Sequence, residues 1–160
     1  MPEEQDQEDE TRKERVDREL NELLSELRVA LPGVQMLFAF LLTVPFYARF
    51  DSLPRLSRAV FFTAFACTTA AAVFLIAPSS NHRLAFRAAD KERLLLRANR
   101  FAIIGILLLA LAICAVMFFI SGMVLGEPWA PRTSAVTAAL IAAIWYLWPL
   151  ARKIARRRGS

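Results

Sequence analysis

The side chains that most often carry chemistry are few in this chain and lie far apart. Its single histidine, His82, has no thiol or carboxylate close to it in the sequence that could complete a metal site. Cys67 and Cys114 each lie in a hydrophobic run without a neighbouring histidine or cysteine, a setting typical of small buried side chains. The sequence therefore predicts neither a metal site nor a cofactor.

The hydroxyl and glycine residues give no sign of catalysis. A serine or threonine nucleophile needs a neighbouring base, and the sequence suggests no such pair. A phosphate-binding loop needs clustered glycines, whereas the five glycines are scattered at positions 33, 105, 122, 126 and 159. We therefore expect a protein that is not an enzyme and has no catalytic residues.

The acidic residues avoid the hydrophobic part of the chain. Of the fifteen Asp and Glu residues, only Asp51, Asp90, Glu92 and Glu127 lie beyond the first 26 positions, and all four fall in polar connections. Proteins that exchange ions across a membrane usually carry an ionisable group inside the bilayer. Here the hydrophobic segments hold only amides and hydroxyls, which more often join helices or bond to their own backbone. The strongest of these groups are Gln35, Thr43, Thr63, Thr68, Thr69 and Ser121.

Hydrophobic segments dominate the chain and set its class. Of the 160 residues, 56% are hydrophobic, and the mean hydropathy is +0.39 although 22% of the residues are charged. Four segments approach the roughly 20 residues that a helix needs to cross a bilayer. We predict an all-α integral membrane four-helix bundle with an amphipathic N-terminal helix and a long third helix that projects into the cytoplasm. The predicted spans are residues 33–50, 59–77, 101–125 and 134–150.

The polar segments divide the rest of the chain. Residues 1–15 form an acidic tail with almost nothing apolar to bury, which is predicted to be disordered. Residues 16–31 are predicted to form an amphipathic cytoplasmic helix, residues 32–151 the transmembrane domain, and residues 152–160 a basic cytoplasmic tail.

Prolines predict where the helices bend or end. Pro32 and Gly33 are expected to interrupt the amphipathic helix, and Pro45 is expected to kink the first span. Residues 78–81 are expected to end the second span and to cap the next helix. Because no proline follows before the end of the third span, residues 82–125 are predicted to form one helix of about 60 Å.

The distribution of positive charge predicts the orientation in the membrane. The N-terminal region, the central connection and the tail carry five, six and five Lys or Arg residues, against four in the two opposite turns. Because Lys and Arg are retained on the cytoplasmic side during insertion, both termini and the central connection are predicted to be cytoplasmic. Trp145, Tyr146 and Trp148 would form an aromatic belt on that side, and Trp129 would do the same outside.

Opposite charges on the cytoplasmic side predict contacts there. Residues 1–28 carry a net charge of −6, whereas residues 82–100 carry +4 and the tail carries +5. The basic residues are expected to contact anionic lipid headgroups or a partner, which would be a second copy of the chain or another membrane protein, and not nucleic acid. The candidate contact residues are Arg87, Lys91, Arg93, Arg97, Arg152, Lys153, Arg156, Arg157 and Arg158.

Helix docking is predicted at two places. The amphipathic helix is expected to bury its leucines and to dock on the basic central connection or on the basic tail, with its glutamates facing the basic residues. The fourth span is expected to be the centre of helix packing, because small residues let backbones approach closely in lipid. The first prediction concerns Leu20, Leu23, Leu24 and Leu27 with Glu19, Glu22 and Glu26, and the second concerns Ala135, Ala139 and Ala143, flanked by Ala138 and Ala142.

The segment around Leu31-Pro32-Gly33-Val34-Gln35 resembles an actinobacterial family of small membrane proteins, as do residues 77–83 and 99–100. The resemblance covers about residues 16–125 and fades in the fourth span and the tails. It implies four membrane spans and a bacterial cytoplasmic membrane. The family has no established function, although some members carry an automatic sodium:proton antiporter label.

Two classes of function are consistent with these features. The first is a non-catalytic multi-pass membrane protein that assembles with itself or with a partner through a charged cytoplasmic face. The alternative is a small transporter or channel, for example a sodium:proton antiporter.

Overall fold

Long helices make up almost all of the structure, a computed structural model that describes residues 2–47, 50–84 and 91–147. Helix α1 runs over Pro2–Thr43, α2 over Arg55–Leu84, α3 over Lys91–Val124 and α4 over Ala130–Ile141. Short 3-10 turns at Val44–Phe46, Phe50–Ser52 and Glu127–Trp129 join them, and a π-helical turn at Ala142–Leu147 follows α4. These ranges contain no strand, which confirms the all-α prediction.

Three of the helices are long and apolar enough to cross a membrane. The qualifying stretches are Arg18–Phe46, Arg55–Ser79 and Leu95–Val124, and they overlap the first three predicted spans. The fourth predicted span, residues 134–150, extends past the described residues. Its helix begins at Ala130, four residues earlier than predicted, because Pro131 suits the first turn of a helix.

Helix α1 is longer than the sequence predicted, since it is continuous from Pro2 through Pro32. The structure therefore differs from the predicted disorder over residues 1–15 and from the predicted break at Pro32. Glu, Gln, Arg and Lys are strong helix formers, and acidic residues near a helix N-terminus interact favourably with its dipole. At 1.5 Å per residue, the 42 residues of α1 extend for about 63 Å, twice the roughly 30 Å hydrocarbon core of a bilayer.

The other two prolines act differently from the predictions. At Pro45 the first span is not kinked, because α1 ends at Thr43 and the chain tightens into the 3-10 turn that contains this proline. Pro78 lies inside α2, where it is fully buried, and the helix continues to Leu84. Residues 82–84 thus belong to α2 rather than to a single helix over 82–125, and residues 85–90 of that predicted helix lie outside the described residues.

Each long helix buries one narrow line of side chains. The buried residues recur at steps of three and four, or of their sum, seven, which is the heptad period of helices that pack at a shallow left-handed angle. In α1 they include Leu20, Leu27, Val34 and Leu41; in α2 Phe61, Ala64, Thr68, Ala71, Leu75 and Pro78; in α3 Ala98, Ala102, Gly105, Ala112, Val116 and Phe119.

Packing divides the chain into two compact units. Unit 1 comprises Met1–Phe40 and Thr68–Leu108, and unit 2 comprises Leu41–Cys67 and Leu109–Ser160. Unit 1 therefore holds the N-terminal part of α1 with parts of α2 and α3. Unit 2 holds the rest of these helices, the connecting turns and α4.

Candidate functional site

Gly105 of α3 makes a close contact with α2 in unit 1. A Cβ atom placed on this residue would lie 2.7 Å from both Cγ and Cδ2 of Leu75 and 3.4 Å from the carbonyl oxygen of Ala71. Because Leu75 is fully buried, only a glycine leaves room for its side chain. The rings of Phe74 and Phe101 pack beside this contact, with their centroids 5.8 Å apart. At this contact the two helix surfaces therefore fit together by the size of their side chains.

Hydroxyl groups join α3 to the start of α4 in unit 2. The Ser121 and Thr133 hydroxyl oxygens lie 2.5 Å apart, and the Ser121 oxygen lies 2.5 Å from the carbonyl oxygen of Met117. When Ser121 donates its one proton to Met117, Thr133 donates to Ser121. The next residue of α4, Ser134, donates to the carbonyl of Cys114 at 3.0 Å. Ser121 is 5% exposed, so these bonds lie in the packed interior of the unit. For Ser121, this confirms the prediction that a hydroxyl joins helices.

Other hydroxyls bond back to their own helices, as expected. Thr63 donates to the carbonyl of Ala59 at 2.9 Å, and Thr137 donates to the carbonyl of Thr133 at 2.9 Å. Among the described side chains, no buried nitrogen or oxygen atom lacks a hydrogen-bond partner. The polar groups of the apolar helices are therefore used by the fold itself.

An aromatic cluster lies in unit 2 near the turn between α1 and α2. The Phe61 ring is 1% exposed and packs edge-on against Phe50, with centroids 5.1 Å apart, and against Phe119 of α3 at 5.6 Å. At the turn that precedes α4, the Arg132 guanidinium lies 5.3 Å from the centre of the Trp129 ring. A half-exposed tryptophan beside a cation suits the headgroup region of a membrane.

The side of α4 that packs in the chain is not the predicted alanine row. Thr133, Ser134, Thr137 and Ile141 are half-buried, whereas all five alanines of the row are exposed. The prediction that this row is the centre of packing within the chain is therefore wrong. Hydroxyl bonds to α3 fix the opposite side of the helix, because a buried hydroxyl needs a partner more than a methyl group does. The exposed residues are Ala135, Ala138, Ala139, Ala142 and Ala143.

The amphipathic part of α1 buries its leucines as predicted. Leu20 and Leu27 are 3% and 5% exposed, while Leu23 and Leu24 are half-buried. Its glutamates are not buried with them, because Glu19, Glu22 and Glu26 are all exposed. The leucine side of the helix thus packs within the protein, and the glutamate side is exposed.

The predicted basic contact residues lie mostly beyond what the structure describes. Arg87 and the tail residues Arg152, Lys153, Arg156, Arg157 and Arg158 are outside the described residues, and so is Trp148 of the predicted aromatic belt. Lys91 and Arg93 lie in the first turn of α3. Arg97, one turn further along, is exposed, and so is its neighbour Arg100.

A metal site and a ligand pocket each require polar side chains that converge. No group of three or more His, Cys, Asp or Glu side chains within this part of the chain could hold a metal ion. Cys67 and Cys114 are both free and half-buried. A shallow groove of about 520 Å³ is lined by Leu42, Thr43, Phe46 and Tyr47, but it lacks the convergent polar groups of a substrate site.

A family model matches most of the chain. It covers residues 9–149, which include all of the helices described above except the first turns of α1. The chain belongs to DUF6328, a family of unknown function. No curated protein and no solved structure matches the chain. For this DUF6328 protein the match extends beyond the predicted residues 16–125 and takes in α4.

Sequence reasoning missed three residues that the structure places at helix contacts. Gly105 was noted only as one of several scattered glycines. Thr133 fell in the connection between the third and fourth predicted spans, and Ser134 was the first residue of the fourth span. A signal for Gly105 was available, since Ala98, Gly105 and Ala112 are small residues spaced seven apart. The hydroxyl pairing of Ser121 with Thr133 depends on how the turn brings two helices together, which no local pattern shows.

Proposed function

We propose that the protein is a non-catalytic multi-pass protein of the bacterial cytoplasmic membrane that assembles with itself or with a membrane-protein partner. Both termini would lie in the cytoplasm, and the contact would be made through the charged cytoplasmic face. The observation that supports this proposal most is that the two sides of α1 differ in burial. Its buried leucines hold the helix in place and leave Glu19, Glu22 and Glu26 exposed for another molecule.

Membrane insertion of four spans is supported by composition, and for the first three spans also by helix length. Residues 29–46, 59–79 and 101–124 contain no Asp, Glu, Lys or Arg, and residues 133–151 contain none either. The charges gather at the ends of these segments, where a helix leaves the hydrocarbon. Helices α1 and α3 exceed the thickness of the hydrocarbon core, so each would extend into the cytoplasm beyond it.

Cysteine labelling tests the proposed orientation. In a chain from which Cys67 and Cys114 have been removed, a cysteine replacing Ser52 or Glu127 should react with an impermeant reagent added outside intact cells. A cysteine replacing Glu22 should react only after the membrane is opened. All three positions are exposed, so reagent access depends on the side of the membrane. The opposite labelling pattern would refute the orientation.

Charge reversal tests the proposed contact face. Purification in native lipid discs should yield a second copy or a partner protein with the wild-type chain, and Glu22→Lys/Glu26→Lys should lose it by roughly tenfold, since the change reverses two charges. Glu127→Lys is the control, because this glutamate is also exposed but lies in the turn between α3 and α4. Equal retention by both variants would contradict the proposal. A chain that elutes alone and conducts ions in liposomes would support the alternative, a small transporter or channel.

A further inference from the structure

One side of α3 combines exposed arginines with exposed apolar residues that follow them in the next turns of the helix. Arg97 and Arg100 are exposed, and Ile104 and Leu107 are 39% and 46% exposed. At about 100° per residue, these four side chains fall within about 40° of one direction on the helix. The buried line of Ala98, Ala102 and Gly105 lies about 150° away on the same helix.

We propose that this side of α3 binds an anionic phospholipid of the cytoplasmic leaflet. Arg97 and Arg100 hold the phosphate, and Ile104 and Leu107 contact an acyl chain. The inference rests on the membrane insertion and orientation proposed above. It names a lipid, rather than a protein, as the occupant of this surface.

The spacing along the helix fits one lipid molecule. From Arg100 to Leu107 the helix rises about 10 Å, which lies within the roughly 15 Å depth of one leaflet. Arg100 is the last charged residue before the uncharged stretch 101–124, so it lies where headgroups meet hydrocarbon. Arg97 is one turn further out, which is within reach of the same phosphate.

The chemistry of the pair favours a phosphodiester. A guanidinium group donates two parallel hydrogen bonds to phosphate oxygens, and its long apolar stem can lie along the hydrocarbon boundary while the charge stays in the headgroup region. Anionic headgroups concentrate near basic side chains at the cytoplasmic surface. Free phosphate would satisfy the arginines but has no apolar part to cover Ile104 and Leu107.

Lipid retention by the full-length protein provides the test. The protein is reconstituted with equal amounts of phosphatidylglycerol and phosphatidylcholine, extracted in mild detergent, and the lipids that remain bound are counted by native mass spectrometry. We expect phosphatidylglycerol to be retained in preference to phosphatidylcholine. Arg97→Gln/Arg100→Gln should reduce this preference by roughly 5- to 30-fold. Each basic residue near the surface contributes about fivefold to the binding of anionic lipid, so two together contribute up to about thirtyfold.

Two further variants decide between this site and general charge attraction. Arg18→Gln removes an exposed charge on α1 that lies about 16 Å from the start of the apolar residues at Val29, so it should leave the preference unchanged. Arg97→Lys/Arg100→Lys keeps both charges but loses the paired hydrogen bonds, so it should retain part of the preference. A preference that survives Arg97→Gln/Arg100→Gln, or that falls equally with Arg18→Gln, would overturn the proposal.

The same preparations also distinguish failure of the lipid-binding proposal from failure of the proposed membrane insertion. Wild-type protein that resists alkaline extraction from the vesicles is inserted in the membrane, and only then does the lipid count bear on Arg97 and Arg100. Protein that alkali extracts would refute membrane insertion itself. Inorganic phosphate at millimolar concentration should not displace the bound lipid, and displacement would show that the arginines bind the anion alone.

Discussion

Replacing Gly105 by alanine tests how closely α2 and α3 approach each other in unit 1. The added Cβ would lie 2.7 Å from Cγ and Cδ2 of Leu75, well inside normal contact distance, and 3.4 Å from the backbone oxygen of Ala71. Leu75 is 0% exposed and therefore cannot turn into open space. Either its side chain leaves a favoured rotamer or the helices separate.

Two opposing effects set the size of the change. Overpacking a tight contact costs about 1–3 kcal/mol, while alanine stabilises a helix by about 0.8–1 kcal/mol relative to glycine. Gly105→Ala should therefore destabilise the protein by about 0–2 kcal/mol. Gly33→Ala is the matched control, because a Cβ there meets nothing within 4 Å and only the helix gain remains. The difference between the two variants isolates the packing cost, about 1–3 kcal/mol.

Unfolding in detergent by added dodecyl sulfate, followed by far-ultraviolet circular dichroism, measures the difference. Gly122→Ala should fall between the other two, since its Cβ would lie 3.4 Å from the Cβ of Ala130. Combining Gly105→Ala with Leu75→Ala should remove the clash, so the two changes should be coupled by at least about 0.5 kcal/mol. Equal stability of Gly105→Ala and Gly33→Ala, or the absence of coupling, would refute the close contact.

Three further predictions concern the turn, the hydroxyl contact and the N-terminal helix. Gly126 has φ of 97° and ψ of 162°, so Gly126→Ala should lower the free energy of unfolding by about 1–3 kcal/mol in the same titration, and no change would show that the turn can relax. Thr133→Val and Ser121→Ala, combined in a double-mutant cycle, should show a coupling energy of about 0.6–1.7 kcal/mol, and independent effects would argue against the bond. Leu27→Ser should open the N-terminal part of α1 to limited proteolysis, because this leucine is 5% exposed, whereas Val29→Ser changes a side chain that is 81% exposed and should not. Equal protection in both variants would mean that the leucine does not anchor the helix.

The stretches of α1, α2 and α3 that are long and apolar enough to cross a membrane were predictable because they depend on composition alone. A run without charged residues must avoid water, wherever it lies in the fold. The hydroxyl bonds were predictable in kind, because Ser121 and Thr63 have few other partners in an apolar helix. Their geometry was not, since it depends on the angle at which α4 returns along α3.

The predicted helix bends and ends at prolines were wrong because the effect of a proline depends on tertiary packing. The same residue type lies inside a helix at Pro32 and Pro78 and at a helix end at Pro45. A proline removes one hydrogen bond and strains the preceding turn, at a cost of about 3 kcal/mol in an isolated helix. Pro78 is fully buried and continues the buried line of Ala71 and Leu75 on α2, so its ring contributes to the packing of that side.

The buried line of α1 explains why this helix passes Pro32 without a break. Leu20 and Leu27 precede the proline and Val34 follows it, each seven residues from the next, so only a continuous helix keeps all three on one side. The two leucines lie outside the uncharged stretch, where burial from water stabilises each by about 1.5–3 kcal/mol. Their sum offsets the cost of the proline, whereas Val34, within that stretch, gains only from close packing. A partner that binds the acidic side of α1 therefore meets a helix whose register is already fixed by its continuation into the apolar stretch.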